Sequence, residues 1–280
     1  MKTSAPILLA VTLFVAAPGL ALATKKVGSG KAVSPDKTLT YASAPFDTTV
    51  DSLPPKYMGH SCRTLAKKLA SLGLKKNEFE TTAAYRERLA SASTTVLTGS
   101  TTLADVVGFV STDDGDSKIG GAYDADRGIM SIMESVGSGE QMVGSALLTT
   151  VKLDQKLKSH RSYEAANAYG RSVRVNSGTW DACGLALSNF PHSTATIIAR
   201  AIRQSIAMTP DEAREAKGAL RLLFVGNADA PYWTEYRERS KATIDDPVEL
   251  QWEGEAVVLR LSQVWIFNKN SGKVYKKIEF

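Results

Sequence analysis

The sequence predicts an α+β protein, an N-terminal helical hairpin followed by a mostly antiparallel β domain. Three observations lead there. Apolar residues recur at helical spacing between residues 59 and 92; β-prone runs with turn signals between them fill the remainder; and no strand–helix–strand alternation, phosphate loop or dinucleotide fingerprint interrupts them.

The chain opens with Met1-Lys2-Thr3, continues through an apolar run from Ala5 to Leu22 broken by Pro18-Gly19, and reaches Ala21-Leu22-Ala23 before Thr24-Lys25-Lys26. A basic start, an apolar stretch and small residues flanking a cut after Ala23 are the parts of a secretory signal peptide over residues 1–23. A retained membrane anchor is the rival reading, and the small-x-small site and the Pro-Gly break weigh against it. No cysteine follows the cut, so a lipid anchor is disfavoured. Charged residues recur through the rest of the chain, leaving no integral membrane segment after cleavage. The expectation is a soluble protein, periplasmic or secreted.

Residues 24–55 hold Gly28-Ser29-Gly30, Ser34-Pro35-Asp36, Ala44-Pro45 and Leu53-Pro54-Pro55 with few large apolar side chains. Such a stretch buries little surface against its ordering entropy and reads as a flexible or loosely docked arm. Over residues 56–92 the reading is a helical hairpin. Cys62, Leu65, Ala66, Leu69 and Ala70 share one helical face, and the helix ends near Gly73. A second helix spans residues 77–90: Asn77 and Glu80 have capping-box-like spacing, Thr81 and Thr82 offer alternative caps, and Tyr85 and Leu89 form a same-face pair.

Residues 93–280 are read as β-rich, as one domain or two sub-domains. The most informative run is 255–267. Val257, Leu259, Leu261, Trp265 and Phe267 share one parity, broken by Gln263, while Val258, Arg260, Ser262, Val264 and Ile266 share the other. That is the pattern of an antiparallel strand with one face more buried than the other. Residues 268–272 supply a hairpin turn into a final strand, and Thr209-Pro210-Asp211-Glu212 begins a short helix with Thr as cap and Pro in the first turn.

Composition removes several functions. Lys and Arg total 34 against 29 Asp and Glu, a net charge of +5, with no basic run longer than pairs such as Lys67-Lys68; together with export this argues against nucleic acid. Two cysteines and three histidines make a structural zinc site improbable. In an oxidising compartment Cys62 and Cys183 read as a disulfide or as two free thiols, a choice that geometry decides.

Gly59-His60-Ser61-Cys62-Arg63 begins like a nucleophile elbow, but Arg63 stands where that turn needs a small residue and a Pro-rich stretch stands where it needs a buried strand. A helix N-terminus with Ser61 or His60 near the cap fits better. Asp113, Asp114, Asp116, Asp124 and Asp126 are the densest acids, yet Gly128, Ile129 and Ser135 occupy places where a calcium loop needs a ligand, a glycine and a glutamate, so these acids read as turn residues. No cofactor or metal is predicted. Tyr232, Trp233 and Tyr236 are the candidate binding aromatics, with burial in the core as the bland alternative.

The segment from Lys76 to Arg88, with Phe79-Glu80-Thr81, Tyr85 and Arg88, resembles an F-E-T-x-x-x-Y-x-x-R helix found in uncharacterised exported bacterial proteins ahead of a β-rich region. Tyr123-Asp124-Ala125-Asp126 and Asn167-Ala168-Tyr169-Gly170 are similar to further short pieces of such proteins. The resemblance implies a periplasmic protein and carries no catalytic residue to this chain. The expected function is therefore a non-enzymatic periplasmic binding or interaction protein whose partner is an envelope protein or cell-wall component. The alternative is an envelope hydrolase with a dispersed site using Asp124, Asp126 or His192, since such sites assemble in space rather than along the chain.

Overall fold

The computed structural model describes residues 40–111, 119–135, 137, 139–166, 169–189 and 201–280. The signal peptide, the first part of the arm, and Asp113, Asp114, Asp116, Asn167, Ala168 and His192 lie outside the described residues.

Two helices come first, α1 (Cys62–Ser71) and α2 (Thr82–Ala92), followed by strands β1 (Val96–Thr98), β2 (Thr101–Thr102), β3 (Val106–Val110), β4 (Gly121–Asp124), β5 (Ile129–Ser135), β6 (Gly139–Val143), β7 (Ala146–Ala166), β8 (Ser172–Leu187) and β9 (Ala201–Ala207). Helix α3 (Pro210–Ala216), then β10 (Leu220–Ser240), β11 (Val248–Asn268) and β12 (Val274–Glu279), complete the described elements. Strands hold 55% of the described residues and the three helices 13%, so the predicted helical hairpin plus β domain is corrected to a mostly β fold.

The correction has a local cause. Helix α1 buries Cys62, Leu65, Ala66 and Leu69 as one stripe and packs on β8, β10 and β11. Helix α2 buries no residue at all, because its apolar side chains do not gather into a stripe. Each helix therefore answers to the sheets or to solvent, and no packed pair forms. The caps follow local chemistry: Ser61 accepts from Thr64 N–H, Thr81 from Ala84 N–H, and Thr209 from Glu212 N–H ahead of Pro210. Asn77 and Glu80 instead close a turn before α2, with Phe79 N–H donating to Asn77 Oδ1.

A seven-stranded sheet runs β3-β10-β11-β8-β7-β6, with β12 beside the last part of β11. Its pairs are antiparallel except β8 with β11, which run parallel from Val248 opposite Asn176 to Leu259 opposite Leu187. Propensity makes both segments strands, but their relative direction is set by the path between them, through β9, α3 and β10.

Strand β11 changes face at the position where its sequence parity breaks. Val225 pairs with Gln263 and Gly226 with Leu261, leaving Ser262 as an extra residue that donates its hydroxyl to Val225 O at 3.0 Å. Val257, Leu259 and Leu261 therefore share a cluster with Val264 and Ile266, while Trp265 and Phe267 turn to the opposite face.

The first of these faces carries the main core, covered by α1, α3 and a three-stranded sheet β4-β5-β9 whose Met130, Ile132, Ile202 and Ile206 pack into it. On the other face, residues 40–57 of the Pro-rich stretch lie over Trp265 and Phe267. Phe46 meets Trp265 edge-on at 5.1 Å, Phe46 N–H donates to Val106 O, and Leu53 N–H donates to Gly272 O. Further along, the sheet curls until β6 meets the far half of β10: Gln141 donates to Glu235 O and accepts from Arg237 N–H.

Candidate functional site: a polar cluster under an aromatic rim

Strands whose two ends meet must enclose one face. The residues from β6, β7, β8, β10 and β11 that pack together there are Val143, Leu148, Ala182, Ala186, Tyr236, Ala256 and Val258. On this face β8 and β11 carry the small residues Ala182, Gly184, Ala186 and Ala256. A Cβ added at Gly184 would lie 2.5 Å from Val151 O and 2.9 Å from the Tyr236 ring. The space this leaves is filled by two long polar side chains, Lys152 and Tyr236, both within 1% of full burial.

Lys152 Nζ sits 3.7 Å above the Trp252 ring and 3.5 Å from Glu238 Oε2, which also accepts from the Tyr236 hydroxyl at 2.7 Å. A buried ammonium is costly unless compensated, and here a carboxylate and a π-face share that task. Toward the open end, Trp252 Nε1 donates to Gln155 Oε1 at 2.6 Å, and Trp252 stacks on Trp180 with 5.6 Å between centroids. A groove of about 450 Å³ opens along this rim beside Arg237, Glu238, Arg239, Gln251, Trp252 and Glu253. The arrangement holds stacked aromatics, an amide and charged groups at one half-buried mouth.

Of the aromatics named from sequence, Tyr236 is fully buried in this cluster. Tyr232 and Trp233 pack against the main core on the opposite face, with Lys75 Nζ 4.3 Å over Trp233. Trp233 and Tyr236 stand three residues apart in unbroken register with β11 and so point to opposite faces, while Tyr232 lies in the irregularity between Ala228 and Trp233 with φ +73°. No local sequence pattern marks Lys152, Gln155, Trp180, Glu238 and Trp252 as a group. The legible signal was the small-residue alternation Ala182-x-Gly184-x-Ala186 beside Gly254-x-Ala256, which marks a face with room for large neighbours.

Cys62 and Cys183 are joined as a disulfide, with Cα atoms 6.1 Å apart, tying the start of α1 to β8. Beside it Arg63 bridges Asp154 and Asp181. His60 is buried: Nδ1 accepts from Gly108 N–H at 3.1 Å and Nε2 donates to Ala44 O at 3.0 Å. Burial holds its pKa below the ordinary imidazole value, so it serves as a neutral strut between the arm and β3. Asp124 Oδ1 accepts from Asp126 and Arg127 N–H, the closure of a turn. Among the described residues, no three His, Cys, Asp or Glu side chains converge as a metal site. No helix among the described residues is long and apolar enough to cross a membrane.

No family model, curated protein or solved structure matches the chain.

Proposed function

We propose that this chain is an exported, non-enzymatic binding protein of the cell envelope, and that its ligand is a glycan segment of the wall lying across the Trp180–Trp252 rim. The carrying observation is that Trp252, which lines the groove beside Glu238, stacks on Trp180 and donates to Gln155. A pyranose ring presents an apolar C–H face that fits a π-surface, while its hydroxyls need donors and acceptors at the edge. Arg237, Gln251 and Glu253 supply both kinds along the groove. The leader-like first 23 residues and the resemblance to exported proteins support the location.

Titration of the chain from Thr24 with soluble wall glycan fragments, followed by calorimetry and tryptophan fluorescence, tests this reading. Saturable binding weakened about tenfold by Trp180→Ala is expected, a loss of about 1.4 kcal/mol. Absence of binding, or an unchanged Kd in the variant, overturns the ligand assignment; cleavage of the glycan overturns the non-enzymatic one. In cells, the periplasmic protein is expected to begin at Thr24 by mass spectrometry.

A further inference from the structure

The register of the four long strands sets one row of side chains across the sheet. Leu157 of β7 stands opposite Trp180 of β8, Trp180 opposite Trp252 of β11, and Trp252 opposite Glu238 of β10. Residues paired in this way project from the same face. The row crosses the spacings between four neighbouring strands, ~4.8 Å each, and so spans about 14 Å. Trp180 and Trp252 are half-buried and stacked, and Leu157, 54% exposed, extends their apolar surface. Because β6 pairs with β7 only over residues 146–150, β7 is the outermost described strand at Leu157.

The apolar strip is narrow. The neighbouring row toward the β7–β8 turn holds His160, Gly178, Leu250 and Ser240, and the inner row holds Gln155, Ala182, Gly254 and the fully buried Tyr236. Apart from Leu250, small, polar or buried residues border the strip on both sides. A stable protein partner buries about 800 Å² on each side, far more than one such row offers. A slender chain with apolar faces and polar edges matches it, and the length of the row exceeds one sugar ring. Gly178 shapes the platform: an added Cβ there would lie 2.5 Å from Cζ3 of Trp180, so the indole occupies the space that a side chain at 178 would fill.

We infer that the ligand is a glycan chain rather than a single sugar, that it lies across the strands from Glu238 along Trp252 and Trp180 to Leu157, and that Gly178 positions Trp180 for it. This rests on the glycan reading and gives that ligand a direction, a minimum length and two further residues. The C–H faces of successive rings meet the indoles and the Leu157 side chain, while Glu238 and the Gln155 amide serve hydroxyls at one end.

The test is calorimetric titration of the chain from Thr24, as wild type, Leu157→Ala and Gly178→Ala, with soluble wall glycan fragments of one, two, three and four rings. Thermal melts establish that each variant is folded, and near-ultraviolet circular dichroism reports the tryptophan pair in the free protein. Wild-type affinity is expected to rise at least about tenfold from one ring to three. Leu157→Ala is expected to lose about fivefold with three rings while its spectrum and its one-ring affinity stay unchanged. Gly178→Ala is expected to lose at least about tenfold with three rings and to show altered tryptophan bands. Equal affinity for one ring and three, or an unaffected Leu157→Ala, overturns the crosswise chain and leaves the glycan reading standing; Leu157 is exposed, so this arm holds even if Gly178→Ala fails to fold. Unaltered bands or unaltered affinity in a folded Gly178→Ala overturns its positioning role. No binding at any length overturns the glycan reading and this inference with it.

Discussion

His60 shows how one side chain couples the arm to the sheet. Its two ring nitrogens join Ala44 to Gly108, and Gly59 before it adopts φ +66° with its backbone so close that an added Cβ would lie 2.6 Å from Gly108 O. Because burial lowers the imidazole pKa in the folded state, the unfolded chain binds the proton more readily. The stability this neutral histidine contributes is present above the unfolded value of about 6.5 and is lost as pH falls through the lower folded value. Thermal melts from pH 7.5 to 5 are expected to show a falling Tm in wild type and a flatter profile in His60→Asn, even though that variant starts lower. An identical slope in the two proteins would remove the imidazole from this role. Gly184 offers a second test at the same scale. Its substitution by Ala should cost about 1–3 kcal/mol in chemical denaturation, because backbone on one side and the Tyr236 ring on the other leave the methyl no room.

At the scale of elements, the disulfide and the bulge in β11 do what local propensity does not. The Cys62–Cys183 bond closes a separation of 121 residues and fixes α1 against β8, where Arg63 also pairs with Asp154 and Asp181. The loop-entropy account assigns such a closure about 4–5 kcal/mol. Replacing both cysteines by serine is expected to lower the denaturation midpoint strongly, and reductant should lower the wild-type midpoint while leaving the double variant unmoved. The bulge at Ser262 explains why the alternation over 255–267 was legible only in part. The β propensity of these residues is legible, but strict alternation places Trp265 and Phe267 on the face of Val257, and the extra residue sends them to the other side. The helices divide in the same way. The apolar stripe of α1 was readable because it is buried, whereas α2 has no such stripe and gains no partner helix.

For the molecule as a whole, the decisive feature is the curl that brings β6 back to β10. Gln141 makes that seam by bonding both to Glu235 O and to Arg237 N–H. Gln141→Ala should cost about 1 kcal/mol. Amide exchange is expected to quicken over residues 139–143 and 234–238, with α1 unaffected; unchanged protection along β6 would mean that the side chain does not hold the seam. The curl also converts the inner faces of four long segments into one site. Lys152, Gln155, Trp180, Glu238 and Trp252 come from β7, β8, β10 and β11 and meet only because those strands stand in the order β10-β11-β8-β7.

Local chemistry along the chain carries a leader-like start, the buried stripe of α1, the Thr209 cap with a choice of neighbouring caps for α1 and α2, the turn at Asp124 and the β character of the remainder. These follow from residue-to-backbone chemistry over a few positions. Tertiary structure alone decided the parallel pairing of β8 with β11, the union of Cys62 with Cys183, the docking of residues 40–57 and the gathering of the Trp180–Trp252 rim. Each depends on which distant segments share an edge or a face, and strand propensity is indifferent to the partner until packing and the path of the chain select one.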